Sequence, residues 1–285
     1  MKNCITPQPC CSKDTIQEAA DTLKMMGVTY NGQMLEFPTI DAFETALNET
    51  NKVLDWTVGT EGQSPINREV VSIVDGFWSL NHVLQHVQQQ REAAWKAGKL
   101  KENEKSAPIL EKFIAGQGLR ALLNAEGVVK IQDLTLKFTA EGQVLKQEGK
   151  GKFIPHPEEK SDSNRITEGG PRSLCCITAA SQTRTQSINQ TDRLVAQMQM
   201  HRIFWMNRFI FSASSTYQRL IHNPFLGMLW ADTATNRIGA FIYGSVNRSC
   251  NESHFAYRIP NHAYSMPYNT HIASISWMGT VSYTH

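Results

Sequence analysis

At Asn124 the apolar residues of this 285-residue chain change period, and that change limits what the chain can fold into. Upstream, Ile109, Phe113, Ile114, Leu119 and Leu122 recur at helical spacing. Downstream, Val129 and Ile131 alternate with Lys130 and Gln132, and Leu134, Leu136 and Phe138 alternate with Thr135 and Lys137. A period of 3.6 places side chains along one stripe of a helix, and a period of 2 places them on one face of a strand. The alternation slips by one residue at Asp133. A turn or bulge must stand there, since otherwise half of the strand would present its apolar side to water. The segment is bracketed by two near-identical tetrapeptides, Asn-Ala-Glu-Gly ending at Gly127 and Thr-Ala-Glu-Gly ending at Gly142, which read as the turns of a short hairpin.

Before this boundary the pattern predicts helices. Asp14 and Gln17 resemble a capping box, followed by a face of Ile16, Ala19, Ala20, Leu23 and Met26 that closes at Gly27. Val28 to Phe37 reads as a short hairpin turning at Asn31-Gly32, and Pro38-Thr39 opens a helix in which Ile40, Phe43 and Leu47 share a face. A longer helical region is expected from Asn67 to Lys99, with Val70, Val71, Val74, Phe77, Trp78, Val83, Leu84 and Val87 as its apolar side and interruptions at Gly76 and at Ser79 to Asn81. Another helix is expected from Ser106, with Pro108 in its first turn, toward Asn124.

After the boundary, Gln147 to Arg172 is rich in Gly, Pro, Ser, Lys and Glu and reads as a flexible loop. Runs at 193–200, 202–220, 226–233, 237–247, 254–259 and 271–283 then read as strands. Ile203, Trp205, Phe209 and Phe211 are expected on one face, and Ile272, Ser274, Ser276 and Met278 opposite Ala273, Ile275 and Trp277. The expected fold class is α+β: a mainly helical N-terminal half over 14–125 and an antiparallel β-rich, sandwich- or barrel-like C-terminal half over 126–285. Residues 1–13 read as an N-terminal tether.

Two segments resemble a known family. Leu35, Phe37, Thr39, Asp41 and Phe43, together with Leu123, Asn124, Glu126, Gly127, Val129 and Ile131, look like recurring blocks of Bacteroidetes-type secreted proteins and lipoproteins of unknown function. Many of those proteins carry Gly-Asp where this chain has Gln132-Asp133, which puts the turn's geometry in question. The resemblance implies export to the cell envelope, and it carries no catalytic residues with it.

Charge and cysteine usage narrow the function classes. The net charge is +2, so the overall balance gives no electrostatic case for nucleic acid. Every lysine lies at or before Lys160, whereas the later part carries ten arginines against five acidic residues, a change of surface style between two regions. No stretch approaches the roughly 20 apolar residues of a membrane helix. Cys4, Cys10 and Cys11 crowd the first eleven residues, which is compatible with a lipid-anchored tether as the one link to a membrane.

His82 and His86 have the i,i+4 spacing of two metal ligands on a helix, but Val83 stands where a zinc protease has glutamate. They are read as exposed or capping histidines, and neither metal nor cofactor is expected. Cys175 and Cys176 are candidates for a disulfide to Cys250 or, in a rival reading, for a hydrolase nucleophile served by a C-terminal histidine. Trp205, Trp230, Tyr243 and Trp277 are the candidate ligand-binding aromatics of the β half. The leading expectation is a secreted or envelope-anchored, non-catalytic binding protein for a glycan or protein ligand. A structural or adhesive surface component is the third reading.

Overall fold

The computed structural model describes residues 12–53, 56–59, 67–99, 112–149, 151–156, 179–223, 227–232, 238–250, 253–266 and 272–280. The tether through Cys11, the expected helix start at Ser106, and Cys175 and Cys176 lie outside them. Helices and mostly antiparallel sheets share the chain, so the fold is α+β.

Helix α1 (Ser12–Met25) is followed by β1 (Thr29–Tyr30) and β2 (Leu35–Phe37), the antiparallel pair expected around Asn31-Gly32. Thr39 then caps α2 (Ile40–Lys52), its Oγ1 accepting from the Ala42 amide at 3.0 Å. Two short strands, β3 (Thr57–Val58) and β4 (Glu69–Val70), precede α3 (Leu80–Lys96). The helix expected from Asn67 thus begins thirteen residues later. Val70 is β-branched and lies in β4, Val71 and Val74 lie in irregular backbone, and Ser79 in extended geometry is the helix cap. Phe113 and Ile114, expected in a helix, lie in irregular backbone, and α4 (Gln117–Leu122) is the α-helix among the described residues of that run.

The period change at Asn124 marks a hairpin of β5 (Val128–Ile131) and β6 (Leu134–Phe138), with Gln132-Asp133 as its two-residue turn. Gln132 has φ 56°, the left-handed region in which glycine is unstrained. The twin tetrapeptides repeat one geometry. Gly127 donates to the Asn124 carbonyl at 2.9 Å, and Gly142 donates to the Thr139 carbonyl at 3.1 Å. In each, the leading side chain accepts a later amide, Val128 to Asn124 Oδ1 at 2.8 Å and Gln143 to Thr139 Oγ1 at 3.2 Å.

The flexible loop expected from Gln147 begins instead as a hairpin of β7 (Val144–Glu148) and β8 (Lys152–Pro155), turning through Gly149 and Gly151. A six-stranded sheet results, in the order β1-β2-β5-β6-β7-β8, in which only β2 and β5 run parallel.

Longer strands follow: β9 (Ala179–Ser187), β10 (Asp192–Ile203), β11 (Arg208–Asn223), β12 (Gly227–Asp232), β13 (Ile238–Cys250), β14 (Ser253–Met266) and β15 (Ile272–Thr280). The order β12-β11-β10-β9, with β15 also on β11, makes a five-stranded sheet, and β13 and β14 form a separate pair. The run 202–220 is not one strand. A 3₁₀ turn at Phe204–Met206 and a left-handed Asn207 (φ 52°) reverse the chain. Ile203 is consequently in the core opposite Arg208 in register, and the common face expected for Ile203, Trp205, Phe209 and Phe211 is lost.

One apolar core joins both sheets. Phe37 meets Phe43 edge-on at 5.1 Å, Phe43 lies over Phe138 at 6.4 Å, and Ile203, Ile210 and Met278 of the long strands pack into the same cluster. Beside it runs a buried polar seam. Arg120 is 1% exposed, and its Nε donates to Asn81 Oδ1 at 2.9 Å while Nη1 donates to the Ile114 and Ala115 carbonyls. Burial pushes this guanidinium down to about 9, so it stays charged at neutral pH and is held by carbonyl and amide dipoles. The loop it fixes grips the long strands. Gln199 donates to the Phe113 carbonyl at 2.9 Å and accepts from the Ala115 amide at 2.7 Å. Gly116 lies against the Ser212 and Ser276 hydroxyls, where a Cβ would stand 1.7 Å from Ser276 Oγ. Asn51 of α2 completes the seam, its side-chain amide bonding both the carbonyl and the amide of Ser276.

Candidate ligand-binding groove

A groove of about 1200 Å³ lies between α1 and the segment from Glu69 to Trp78, with His82 and Gln85 of α3 contributing to its lining. Its far wall is built by local chemistry. The Val71 amide donates to the Trp56 carbonyl at 2.8 Å, and the Phe77 amide returns to the Val74 carbonyl at 3.0 Å, closing a turn at Asp75-Gly76. Phe77 is 1% exposed and packs edge-on against Tyr30 at 5.4 Å. With Phe77 anchored inward, the next residue, Trp78, stands out and is 56% exposed.

Trp78 is held by more than its backbone. Its indole stacks on the His82 imidazole at 4.6 Å with 29° between the planes. His82 is itself fixed, because its Nδ1 accepts from the Ser79 amide at 3.0 Å and lies 2.9 Å from the Ser79 hydroxyl. A histidine at the third helical position bonding back to the cap residue is a capping-box arrangement. An amide N–H can only donate, so Nδ1 carries no proton and the neutral ring keeps its proton on Nε2. Nε2 lies 3.3 Å from Ser72 Oγ, whose own proton goes to the Phe77 carbonyl at 2.6 Å. Protons therefore run from His82 to Ser72 to Phe77. Ser72 is a relay of structure and is not activated as a nucleophile, since activation needs the imidazole to accept its proton. Burial lowers the His82 pKa, against opposing contributions from the Ser79 and Val70 backbone and the Glu69 carboxylate.

The walls combine apolar side chains such as Ile16, Val70 and Ile73 with the carboxylates of Asp21, Glu69 and Asp75, the Lys24 ammonium and the amides of Gln17 and Gln85. An indole platform with hydrogen-bonding groups around it can take a ligand that has one apolar face and hydroxyls at its rim.

The aromatics singled out from the sequence are not gathered into one surface. Trp205 sits in the 3₁₀ turn and packs against the core, with His156 edge-on at 5.3 Å and Lys146 Nζ 6.0 Å from its centroid. Trp230 is on β12 opposite Leu220, beneath the Arg193 guanidinium at 4.3 Å. The strand from Arg208 to Leu220 separates them by about 40 Å at ~3.3 Å per residue. Trp277 lies in β15 opposite Phe211, and Tyr243 falls at the register shift of β13 between Ile242 and Gly244. Cys250 pairs with Ser253 at the end of the β13–β14 hairpin. His86 is exposed and lies 2.8 Å from Gln90 Nε2, whereas His82 is buried.

Trp78 was legible only as part of a helical apolar stripe. No family model, curated protein or solved structure matches the chain, so the groove is read from its own geometry.

Proposed function

We propose that the protein is a non-catalytic glycan-binding protein, exported or anchored at the cell envelope, whose ligand lies in the groove against Trp78. The observation that carries this reading is the platform itself. A tryptophan 56% exposed, stacked on an imidazole that is pinned by its cap, is pre-organised for a flat ligand face. A sugar ring supplies such a face through its C–H groups, and its hydroxyls suit the carboxylates and amides along the walls. In this reading the long C-terminal strands, in a sandwich-like packing, form the scaffold, and the N-terminal tether carries the lipid.

The test is a glycan array followed by calorimetry on the hits. Trp78→Ala should weaken binding by about 30-fold or more, as expected for loss of a central aromatic anchor. Trp205→Ala should leave it unchanged. A folded protein that binds nothing on the array, or one that loses binding through Trp205 and not Trp78, refutes the proposal.

A further inference from the structure

The two walls of the groove differ in charge. On α1, Asp21 and Lys24 stand three residues apart, so a carboxylate and an ammonium are neighbours on one helix face and that wall is close to neutral. Asp21 also accepts from Gln17 Nε2 at 2.9 Å. The opposite wall, from Glu69 to Trp78, carries the carboxylates of Glu69 and Asp75 and neither lysine nor arginine. Both carboxylates are exposed, and among the described residues neither side chain forms a hydrogen bond or an ion pair.

The platform lies on this acidic wall. His82 adds no charge to it, because its Nδ1 accepts from the Ser79 amide and the ring is neutral. Burial pushes the His82 pKa down and the Glu69 carboxylate works against that, so Glu69 is within electrostatic reach of the imidazole on which Trp78 rests. A ring seated on the indole therefore has two unpaired carboxylates along the same wall. An ionised carboxylate accepts only, and a bond to it from a charged donor is roughly twice as strong as one between neutral groups.

Resting on the glycan reading of the groove, we propose that its ligand is an oligosaccharide of amino sugars with free amino groups, one ring on Trp78 and its ammonium groups against Glu69 and Asp75. Acetylation removes the charge that this wall recognises, and a uronic acid sets a carboxylate against two others. Affinity falls in that order. The net charge of the chain is +2, so a cationic sugar is not drawn to the protein as a whole, and the preference belongs to this wall.

Calorimetry on the full chain tests it with β-1,4-linked oligomers of equal length, of glucosamine, N-acetylglucosamine and glucuronic acid, in mildly acidic buffer that keeps the free amine protonated. Glucosamine should bind about five- to tenfold more tightly than its acetylated counterpart, as two exposed ion pairs allow, and the acid should bind most weakly. Rising salt should erase the preference, since exposed charges are screened. Glu69→Gln combined with Asp75→Asn should bring the first two affinities together, and Trp78→Ala should weaken both. An acetylated oligomer that binds as tightly as the free amine, with Trp78 still required, overturns this inference and leaves the glycan reading standing. A preference that survives high salt or the double substitution overturns it as well, as does glucosamine binding that ignores Trp78→Ala. Where the glycan array gives hits but none of these oligomers binds, this inference alone falls. Where the array is empty, both fall.

Discussion

His201 offers a sharp test of the packing between the two sheets. Its side chain is 0% exposed on β10, with Phe138 5.5 Å away and Nε2 placed 2.9 Å from the Thr139 carbonyl. A carbonyl accepts only, so the ring proton is on Nε2, and Nδ1 is buried with no partner among the described residues. Adding a proton to Nδ1 would bury a charge without a counter-charge or acceptor. Burial accordingly pushes the pKa from 6.5 down to about 4, despite small opposing contributions from the Thr139 carbonyl and the Glu141 carboxylate.

The sign of the effect on stability follows. Between pH 4 and 6.5 the unfolded chain binds a proton at this residue that the folded chain refuses. Stability from His201 is therefore complete above about 6.5 and is lost as pH falls toward 4. At 1.36 kcal/mol for each unit, the loss is about 3 kcal/mol. His201→Gln keeps a donor toward the Thr139 carbonyl but does not titrate. Urea unfolding of both proteins at several pH values between 4 and 7 isolates the residue, because other titrating groups, His82 among them, are common to both. The wild-type curve should fall relative to the variant by about 3 kcal/mol across that window. Parallel curves, or a variant that loses more than the wild type, would refute the buried neutral imidazole.

Three further substitutions probe the turns and the seam. Gly127 has φ 78°, and a Cβ there would stand 2.6 Å from the Phe138 carbonyl oxygen, so Gly127→Ala should destabilise the fold by about 2 kcal/mol or more in denaturant titrations. Gln132→Gly should act in the opposite direction, raising stability by about 0.5–1 kcal/mol by relieving a left-handed glutamine, and a fall in thermal midpoint would contradict that assignment. Gly116→Ala should destabilise by about 1–3 kcal/mol through its clash with Ser276. Adding Ser276→Ala should restore part of the loss, and a strictly additive double variant would show that the two residues do not touch.

What could be read from the sequence divides along a physical line. Where a segment is stabilised by its own pattern, the pattern sufficed: the Thr39 cap, the hairpin on either side of Gln132-Asp133, and the strand alternation that leaves Ser276 and Met278 buried. The first two depend on contacts within a few residues, and in the third the alternation by itself puts Ser276 and Met278 on one face. The failures occur where a distant partner decides. Phe113 and Ile114 have helical spacing, but their carbonyls are taken by side chains, that of Phe113 by Gln199 of a strand far along the chain and that of Ile114 by Arg120. Val70 and Val71 have the same spacing and are drawn away from a helix by pairing with β3 and by the Trp56 carbonyl.

The candidate site belongs to the second class for the same reason. A tryptophan in an apolar stripe is normally a core residue, and nothing near Trp78 in the sequence marks it as different. Its exposure follows from a conflict between neighbours. Phe77 must point inward to meet Tyr30, and Ser79 must take extended geometry to cap α3, so the residue between them is left on the outside. His82, fixed by that same cap, then supplies the surface on which the indole rests. Weakening the cap should therefore loosen the platform before it unfolds the protein. Ser79→Ala removes the hydroxyl but keeps the amide that orients His82, whereas His82→Leu removes the stacking partner outright. The proposed function requires the second change to impair binding more than the first.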